Sequence, residues 1–326
     1  MNEHPYDRLT PDRVIDAIES TGRLSDARLL ALNSYENRVY QVGIEDESPV
    51  IAKFYRPERW SDDQILEEHA FSLELLAADI SVVAPLQDEA GQTLHEYEGF
   101  RFALFPRRGG YPPELDNLDN MLVLGRTLGR IHGVGKASTF RYRQQITVQR
   151  MLLESREFLL EGFIPGALIP AYDSLTRDLA DTVTTIYGEV ASTDLIRIHG
   201  DCHIGNILWR DDTAHFVDLD DCCMAPAVQD LWMFLNGERH DRQLQLSELI
   251  EGYSEFCDFD PRQIRWIESL RTMRLIHYAA WLARRWHDPA FPRSFTWFNT
   301  ERYWADHILE LREQLAALQE EPLQLL

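Results

Sequence analysis

Three polar residues in the stretch 196–221 have the types and spacing needed for metal-assisted phosphoryl transfer. Asn206 follows Asp201 by five positions, and Asp218 follows Asn206 by twelve. In that chemistry one aspartate orients or deprotonates the attacking hydroxyl, while an asparagine and a second aspartate hold Mg²⁺ on a nucleoside triphosphate. We therefore take Asp201 and Asp218 as candidate catalytic residues, and Asn206 and Asp218 as candidate Mg²⁺ ligands, with ATP as the expected co-substrate.

The residues between Asn206 and Asp218 predict a β-hairpin. Residues 207–209 form its first strand, residues 210–213 its turn and residues 215–217 its second strand. A hairpin brings Asn206 and Asp218 to the same end. An Asp-x4-Asn spacing followed by a hairpin and a second Asp is the arrangement of catalytic loop and metal-binding aspartate in the protein-kinase fold.

This stretch has two other interpretations. Each of the three residues is also common in turns and at strand ends. A zinc site made of His199, His203 and Asp201 is the second alternative, but its histidines lie on a β-loop-β pattern with no helix to align them. Asp220 follows Asp218 by two positions, and its carboxylate has two expected roles: it assists Asp218 in binding the metal, or it faces solvent. We keep it, His199 and His203 as secondary candidates.

A lysine for the nucleotide phosphates is expected on a strand of the N-terminal region. Residues 50–53 read Val-Ile-Ala-Lys, a V-A-I-K-like pattern that makes Lys53 the candidate. Its expected partner is a glutamate on the following helix, for which Glu67, Glu68 and Glu74 are available. Glu68 is preferred because it flanks the apolar stripe of that helix, although a solvated glutamate is the alternative.

The phosphate-covering turn contains no G-x-G-x-x-G motif. Between the first two predicted strands the chain reads Asn-Ser-Tyr-Glu-Asn-Arg, in which backbone amides and the Ser34 hydroxyl can bind phosphate and Asn37 tolerates a left-handed conformation. An ordinary hairpin turn is the alternative. Adenine is expected beside Phe105, where the chain leaves the predicted N-terminal lobe.

The elements that position these residues suggest an α+β fold of two lobes. A helix over residues 11–20 precedes predicted strands, and Ser61 with Gln64 forms a capping box that starts a second helix ending near residue 78. Strands are predicted at residues 29–32, 38–42 and 50–55, and two or three further strands among residues 82–84, 93–96 and 100–105, so that five strands surround one helix. A Gly- and Pro-rich break at residues 106–113 separates an N-terminal nucleotide-binding lobe, 1–106, from a mainly helical catalytic and substrate lobe, 107–326.

The predicted helices of the second lobe follow one another with short connections. Apolar residues recur at helical spacing over residues 121–132, 147–160, 172–190, 229–235, 244–256, 261–286 and 301–318. Asp230 has the expected role of capping a helix beneath the catalytic stretch.

The composition of the chain indicates its cellular location and the kinds of partner it binds. A formal charge of −22 disfavours nucleic acid, and no long uncharged apolar run or N-terminal signal core is present in the sequence. The four cysteines fit neither a disulfide scaffold nor a zinc site, and the adjacent Cys222 and Cys223 are interpreted as small apolar residues rather than redox sensors. We expect a cytoplasmic monomer.

Several motifs together resemble the aminoglycoside phosphotransferase and choline kinase branch of the protein-kinase-like superfamily. Its H-G-D-x-H-x-x-N signature stands at residues 199–206, followed by Phe-Val-Asp at 216–218. Residues 32–40, 53–60 and 226–233 look like those of bacterial stress response kinases, so the resemblance spans nearly the whole chain. It implies an ATP-dependent kinase with Asp201 as base, Asn206 and Asp218 as Mg²⁺ ligands and Ser34 as a phosphate contact.

The same resemblance implies transfer of the γ-phosphate to serine or threonine of a protein during envelope or oxidative stress. A small-molecule kinase acting on an amino sugar or an amino alcohol such as choline is the first alternative, because it would use the same catalytic residues. A nucleotide-binding regulator without catalysis is the second, and the complete Asp201, Asn206 and Asp218 set argues against it.

Overall fold

A computed structural model of the protein describes residues 5–326, so residues 1–4, which the sequence analysis assigns to the N-terminal lobe, lie outside the described residues. Chain contacts divide it into two compact units. Unit 1 comprises residues 1–114, 140–143 and 201–222, and unit 2 comprises residues 115–139, 144–200 and 223–326. The predicted lobe boundary between residues 106 and 107 stays a prediction.

Unit 1 is built on a five-stranded antiparallel sheet in the order β1-β2-β3-β5-β4. The strands are β1 (Ser25–Ala31), β2 (Arg38–Ile44), β3 (Val50–Phe54), β4 (His95–Tyr97) and β5 (Phe100–Pro106). Helix α1 (Pro11–Glu19) is capped by the Thr10 hydroxyl, and its residues Val14 and Ile18 pack with the sheet residues Phe54 and Phe102 in one core. Burial of this apolar face holds α1 on the sheet.

Helix α2 (Asp62–Ala77) follows β3 and begins as the sequence indicates. The Ser61 side chain accepts from the Gln64 amide while the Gln64 side chain accepts from the Ser61 amide, which confirms the predicted capping box. Of the two or three further strands expected after this helix, the one at residues 82–84 does not form, which leaves the expected total of five. Val82 makes only an isolated bridge to Phe216, because the backbone there pairs with the end of another hairpin rather than with the sheet.

The second part of unit 1 is the hairpin of β7 (Ile207–Arg210) and β8 (Thr213–Phe216), which confirms the predicted hairpin. Asp211 and Asp212 form its turn, and both have positive φ, at 51° and 53°. Two successive left-handed residues match the twist of a two-residue hairpin connection. Tyr111 of the Gly-rich break adds an antiparallel bridge to Trp209.

Unit 2 is mainly helical. Its helices are α3 (Leu118–Gly135), α4 (Glu154–Gly162), α5 (Ile169–Tyr187), α6 (Gln229–Trp232), α7 (Arg239–Ser254), α8 (Ile267–Arg284), α9 (Ala290–Ser294) and α10 (Glu301–Ala317). A short sheet pairs β6 (Ile196–Ile198) with β9 (Cys223–Ala225). The predicted helices at 147–160 and 261–286 each begin with a different turn, a π-helical turn at Gln149–Leu153 and a 3₁₀ turn at Pro261–Trp266.

Helices α3 and α7 approach each other through glycines. A Cβ atom on Gly125 would lie 2.1 Å from the Leu249 carbonyl oxygen, and one on Gly252 would lie 2.1 Å from the Leu122 carbonyl oxygen. Such distances exclude any side chain, so glycine is required at both positions. Among the described helices, none has the length and apolar character needed to cross a lipid bilayer.

Candidate active site

The β7–β8 hairpin brings Asn206 and Asp218 together at its open end. The Val217 amide donates to the Asn206 carbonyl oxygen at 3.0 Å, which joins the residue before Asp218 to the residue that starts the hairpin. Asp218 itself has a left-handed backbone, with φ of 59°. This conformation turns the chain sharply two residues after β8 ends, and the Asp218 side chain is 53% exposed.

Asp201 and Asn206 are connected directly. The Asn206 side-chain amide donates to the Asp201 carbonyl oxygen at 2.9 Å, so the amide oxygen of Asn206 is oriented away from that bond. His203 Nε2 lies 3.4 Å from Asp201 Oδ2, while His203 Nδ1 accepts from the Gly205 amide. Within residues 5–326, no group of three His, Cys, Asp or Glu side chains is arranged as a metal site.

The residues before Asp201 are held from within unit 2. The buried Asp230 carboxylate accepts from the amides of His199 and Gly200, at 2.8 and 2.9 Å, and from Nε2 of His132 at 3.0 Å. The expected helix cap at Asp230 is therefore wrong, since the carboxylate binds the backbone at residues 199 and 200 instead. Gly200 has φ of 87°, a left-handed conformation that favours glycine.

Lys53 is the centre of an acidic cluster in unit 1. Its Nζ lies 2.9 Å from Asp218 Oδ1, 3.0 Å from Asp220 Oδ1 and 3.7 Å from Glu68 Oε1. Burial of the ammonium opposes its charge, but these carboxylates together raise the pKa of Lys53 well above its usual value. Lys53 therefore carries a positive charge beside Asp218.

Of the candidate glutamates, Glu68 is the one placed beside Lys53. The Glu68 side chain is buried, and burial raises its pKa from 4.5 to about 7 although Lys53 acts in the opposite direction. The Glu67 carboxylate points elsewhere and accepts from the backbone amides of Arg141, Tyr142 and Arg143.

Asp220 is buried rather than facing solvent, with only 2% of its surface exposed. It contacts Arg59, accepts from the Asn37 side-chain amide at 3.3 Å and lies beside Lys53. Burial opposes its charge, but Arg59, Lys53 and Arg143 lower the pKa of Asp220 below its usual value. Arg59 lies within residues 53–60, but sequence reasoning does not identify it as a site residue because its partner is 161 positions away in the chain.

In the turn between β1 and β2, Asn37 has a different role from the expected one. The Asn37 backbone is not in the left-handed region, which contradicts the conformation anticipated for it. Its side chain is buried and bridges Asp220 and the Arg56 amide, which donates to Oδ1 at 3.1 Å. The Ser34 hydroxyl donates to the Asn37 carbonyl oxygen at 3.0 Å. The turn is thus anchored by side chains rather than by glycine.

Phe105, expected beside adenine, lies half-buried on β5. Its ring packs against the core cluster that contains Tyr55 and Ala103 and meets the His69 ring edge-on, with centroids 6.3 Å apart. Behind it the Tyr55 hydroxyl and His69 Nε2 are 2.7 Å apart. Burial lowers the pKa of His69 to about 3, so this histidine is neutral at physiological pH.

The donor set of the site fits a hard divalent cation. Asn206 and Asp218 supply amide and carboxylate oxygens at one end of a hairpin, and oxygen is the ligand that Mg²⁺ prefers. The half-exposed Asp218 carboxylate is accessible, and Lys53 beside it supplies a fixed positive charge. Such a set can bind the phosphates of a nucleotide and stabilise charge during phosphoryl transfer.

Comparison with known sequences identifies a family. Residues 28–267 match the family described as APH, phosphotransferase enzyme family. The chain is 48% identical over 321 residues to stress response kinase A of Escherichia coli (strain K12), covering 98% of this chain and 97% of the relative. It is 46% identical over 325 residues to the serine/threonine protein kinase RdoA of Salmonella typhimurium (strain LT2), covering 99% and 98%.

Comparison with solved structures gives the same fold. The amicoumacin kinase hAmiN, in complex with AMP-PNP, Ca²⁺ and Ami, aligns with a TM-score of 0.74 and 19% identity, covering 96% of this chain and 95% of that one. A microcompartment-associated aminopropanol kinase aligns with a TM-score of 0.70 and 19% identity, covering 96% and 99%. The predicted α+β, protein-kinase-like fold and the resemblance found in the sequence are confirmed. This chain belongs to the phosphotransferase enzyme family.

Proposed function

We propose that the protein is an ATP- and Mg²⁺-dependent serine/threonine protein kinase acting in a bacterial stress response. The observation that carries the proposal is the assembly of Lys53, Glu68 and Asp218 beside the hairpin end that presents Asn206. The names of the relatives support the protein acceptor, since they are called stress response kinase and serine/threonine protein kinase.

The proposed reaction uses each residue at a stated atom. The Asp201 carboxylate accepts the proton of the acceptor hydroxyl as that oxygen bonds to the γ-phosphorus and the bond from phosphorus to the ADP oxygen breaks. Lys53 binds the nucleotide phosphates, and Ser34 adds a hydroxyl contact to them. Asn206 and Asp218 hold Mg²⁺, which when bound neutralises charge on the phosphate oxygens.

A small-molecule kinase is the second candidate, favoured by a specific observation. The two structural neighbours described above are named for small acceptors, amicoumacin and aminopropanol. Asp221 is also half-exposed next to the site, but its carboxylate is paired with the Arg59 guanidinium at 2.7 Å, so a cationic alcohol would have to share it with that arginine. Both candidates use the same Asp201, so the acceptor must be identified by experiment.

The test is γ-phosphate transfer from ATP and Mg²⁺ by wild type and Asp201→Ala in parallel. The acceptors are a generic basic protein and a panel of amino alcohols and amino sugars. Label on serine or threonine that is lost in the variant supports the protein kinase. Label confined to a small alcohol supports the second candidate, and no transfer to any acceptor with ATP still bound contradicts both.

The nucleotide position can be tested separately because the chain contains only two lysines, Lys53 and Lys136. An acyl-phosphate derivative of ATP acylates a lysine that lies beside the bound phosphates. We expect Lys53 to be acylated and to be protected by excess ATP, while the exposed Lys136 reacts slowly and without protection. Equal labelling of both lysines would contradict the proposed phosphate site.

The remaining expectations are part of the same proposal. The lobes at residues 1–106 and 107–326, a monomeric state, a cytoplasmic location and the absence of nucleic acid among the partners are proposed from the sequence. The high negative charge of −22 supports the last of these, since it repels a polyanion.

A further inference from the structure

A short segment of unit 1, residues 140–143, lies along helix α2 and is bound by one of its glutamates. The two Glu67 carboxylate oxygens accept three successive backbone amides, from Arg141 at 2.6 Å and from Tyr142 and Arg143 at 2.8 Å each. A carboxylate that accepts several amides makes strong, charge-assisted hydrogen bonds. Glu67 therefore fixes the backbone of this segment on α2.

Two further residues of α2 bind the segment from the same side. The Gln64 side-chain amide donates to the Tyr142 carbonyl oxygen at 3.0 Å, and the Phe71 ring meets the Phe140 ring perpendicularly, with centroids 5.4 Å apart. Gln64, Glu67 and Phe71 are spaced by three and four positions, so they form one face of the helix. The segment thus covers a complete stripe of α2 about two turns long.

The Arg143 side chain continues from this stripe to the turn that follows Asp218. Its Nε donates to the Cys222 carbonyl oxygen at 2.9 Å, and its guanidinium also donates to the carbonyl oxygens of Asp220 and Gln64. The guanidinium lies over the Trp60 ring, 4.2 Å from the centroid, and Arg143 is only 6% exposed. A planar fork with five N–H donors is needed to bind carbonyls in several directions and to stack on a ring at the same time.

These contacts connect the two elements that carry the proposed phosphate-binding groups. Glu68, which lies beside Lys53, is the next residue of α2 after Glu67. The carbonyl oxygens of Asp220 and Cys222 belong to the turn that begins at Asp218. Because Arg143 binds both α2 and that turn, a shift of either element would break its hydrogen bonds.

We propose that residues 140–143 are a clamp that fixes α2 against the Asp218–Cys222 turn, and that Arg143 and Glu67 are positioning residues for phosphoryl transfer. The inference rests on the proposed function, since it assigns how the Lys53–Glu68 pair and Asp218 keep their relative positions. Neither Arg143 nor Glu67 touches the nucleotide in this proposal. They act through the backbone of α2 and of the turn.

The main variant is Arg143→Ala, and Arg141→Ala is its matched control. Arg141 is exposed, its guanidinium lies over the Tyr142 ring, and its contact with Glu67 is made by the backbone amide, which alanine keeps. We expect Arg143→Ala to lower kcat by about 10²-fold, the effect of a small misplacement of reacting groups. The same variant should need about tenfold more Mg²⁺ for half-maximal activity, because the Asp218 turn is loosened.

Two further variants separate positioning from mere stability. Arg143→Lys keeps the charge without the fork and should restore little of kcat, while Glu67→Gln replaces one acceptor with a donor and should also lower kcat. The double variant Glu67→Gln/Arg143→Ala should lower kcat by no more than the more damaging single variant does, since both residues belong to one clamp. If Arg143→Ala does not fold, the kcat values of Arg143→Lys and Glu67→Gln still test the positioning role.

Amide hydrogen exchange gives a readout that does not depend on activity. Loss of the clamp should speed exchange about tenfold in α2 and at residues 219–222 of Arg143→Ala but not of Arg141→Ala. Unchanged kcat and Mg²⁺ dependence with only a lower melting temperature would overturn the positioning role. If the wild type transfers no phosphate, the proposed function fails, and unchanged exchange in Arg143→Ala would then overturn the clamp independently.

Discussion

Replacement of Lys53 by methionine should remove the positive charge from a buried acidic cluster. The Lys53 side chain is only 8% exposed and lies within 3.7 Å of the carboxylates of Glu68, Asp218 and Asp220. Breaking a buried ion pair by removing one partner costs about 3–5 kcal/mol. Because Arg59 still neutralises Asp220 and Asp218 is half-exposed, we expect Lys53→Met to lower the free energy of unfolding by about 3 kcal/mol, the lower end of that range.

The decrease in the free energy of unfolding caused by Lys53→Met should grow as pH rises. Lys53 acts to lower the pKa of Glu68, which burial has raised to about 7, so removal of Lys53 raises that pKa further. At pH 6 the Glu68 carboxyl of the variant is protonated, which reduces the excess negative charge of the cluster. At pH 8.5 a larger fraction of this carboxyl is ionised, so more of the excess negative charge remains. The destabilisation should therefore be larger at pH 8.5 than at pH 6, by about 1–2 kcal/mol.

Urea unfolding of Lys53→Met, wild type and Lys136→Met at both pH values measures this effect. Lys136 is the only other lysine, is exposed, and donates to the Asp258 carbonyl oxygen, so its replacement is the matched control. Kinase activity of Lys53→Met should fall about 10²–10³-fold, as for the loss of one preorganised electrostatic contact. Equal, pH-independent stability of the two lysine variants would refute the reasoning that Lys53 neutralises a buried acidic cluster.

Three further predictions concern the same unit. Since the pKa of Glu68 is raised from 4.5 to about 7, the stability advantage of its protonated form is complete below pH 4.5 and lost as pH rises through 7. Urea unfolding across that range should therefore show a declining stability of wild type relative to Glu68→Gln, by up to about 3 kcal/mol. Asp218→Asn should raise the Mg²⁺ concentration for half-maximal activity about 10–100-fold in a metal titration, whereas an unchanged requirement would argue against Asp218 as a ligand. Replacing the turn residues Asp211 and Asp212 by Asn and Gly should stabilise the hairpin by up to about 1 kcal/mol, because relief of left-handed strain, about 1–2 kcal/mol per residue, exceeds the entropic cost of glycine, about 0.5–1 kcal/mol. Thermal unfolding measures the effect, and a lower melting temperature would contradict this account.

Elements defined by local patterns were predictable from the sequence. The capping box at Ser61 and Gln64, the β7–β8 hairpin and the third strand carrying Lys53 all lie where the residues indicate. Each depends on hydrogen bonds or side-chain alternation over a few residues, which the sequence states directly. The sequence could not show whether residues 82–84 form a strand, because an apolar run of three residues does not indicate whether a partner strand is available.

The identity of the lysine's partner needed the tertiary structure. Helical periodicity places Glu67 and Glu68 on adjacent faces of α2, and the only local argument for Glu68 is that it flanks the apolar stripe of the helix. The structure does so because residues 140–143 present three backbone amides to Glu67, while Lys53 of β3 lies beside Glu68. These partners are brought together by the chain path between distant segments, which no spacing rule describes.

By itself the sequence determined the order and spacing of Asp201, Asn206 and Asp218, because a short loop and a tight hairpin leave little freedom between them. Only the tertiary structure decided that Asp220 is buried and meets Arg59, and that Arg143 binds the turn after Asp218. The physical reason is that local hydrogen bonds depend on neighbours in the chain, whereas a buried charge is compensated by whichever distant group the folded chain brings to it.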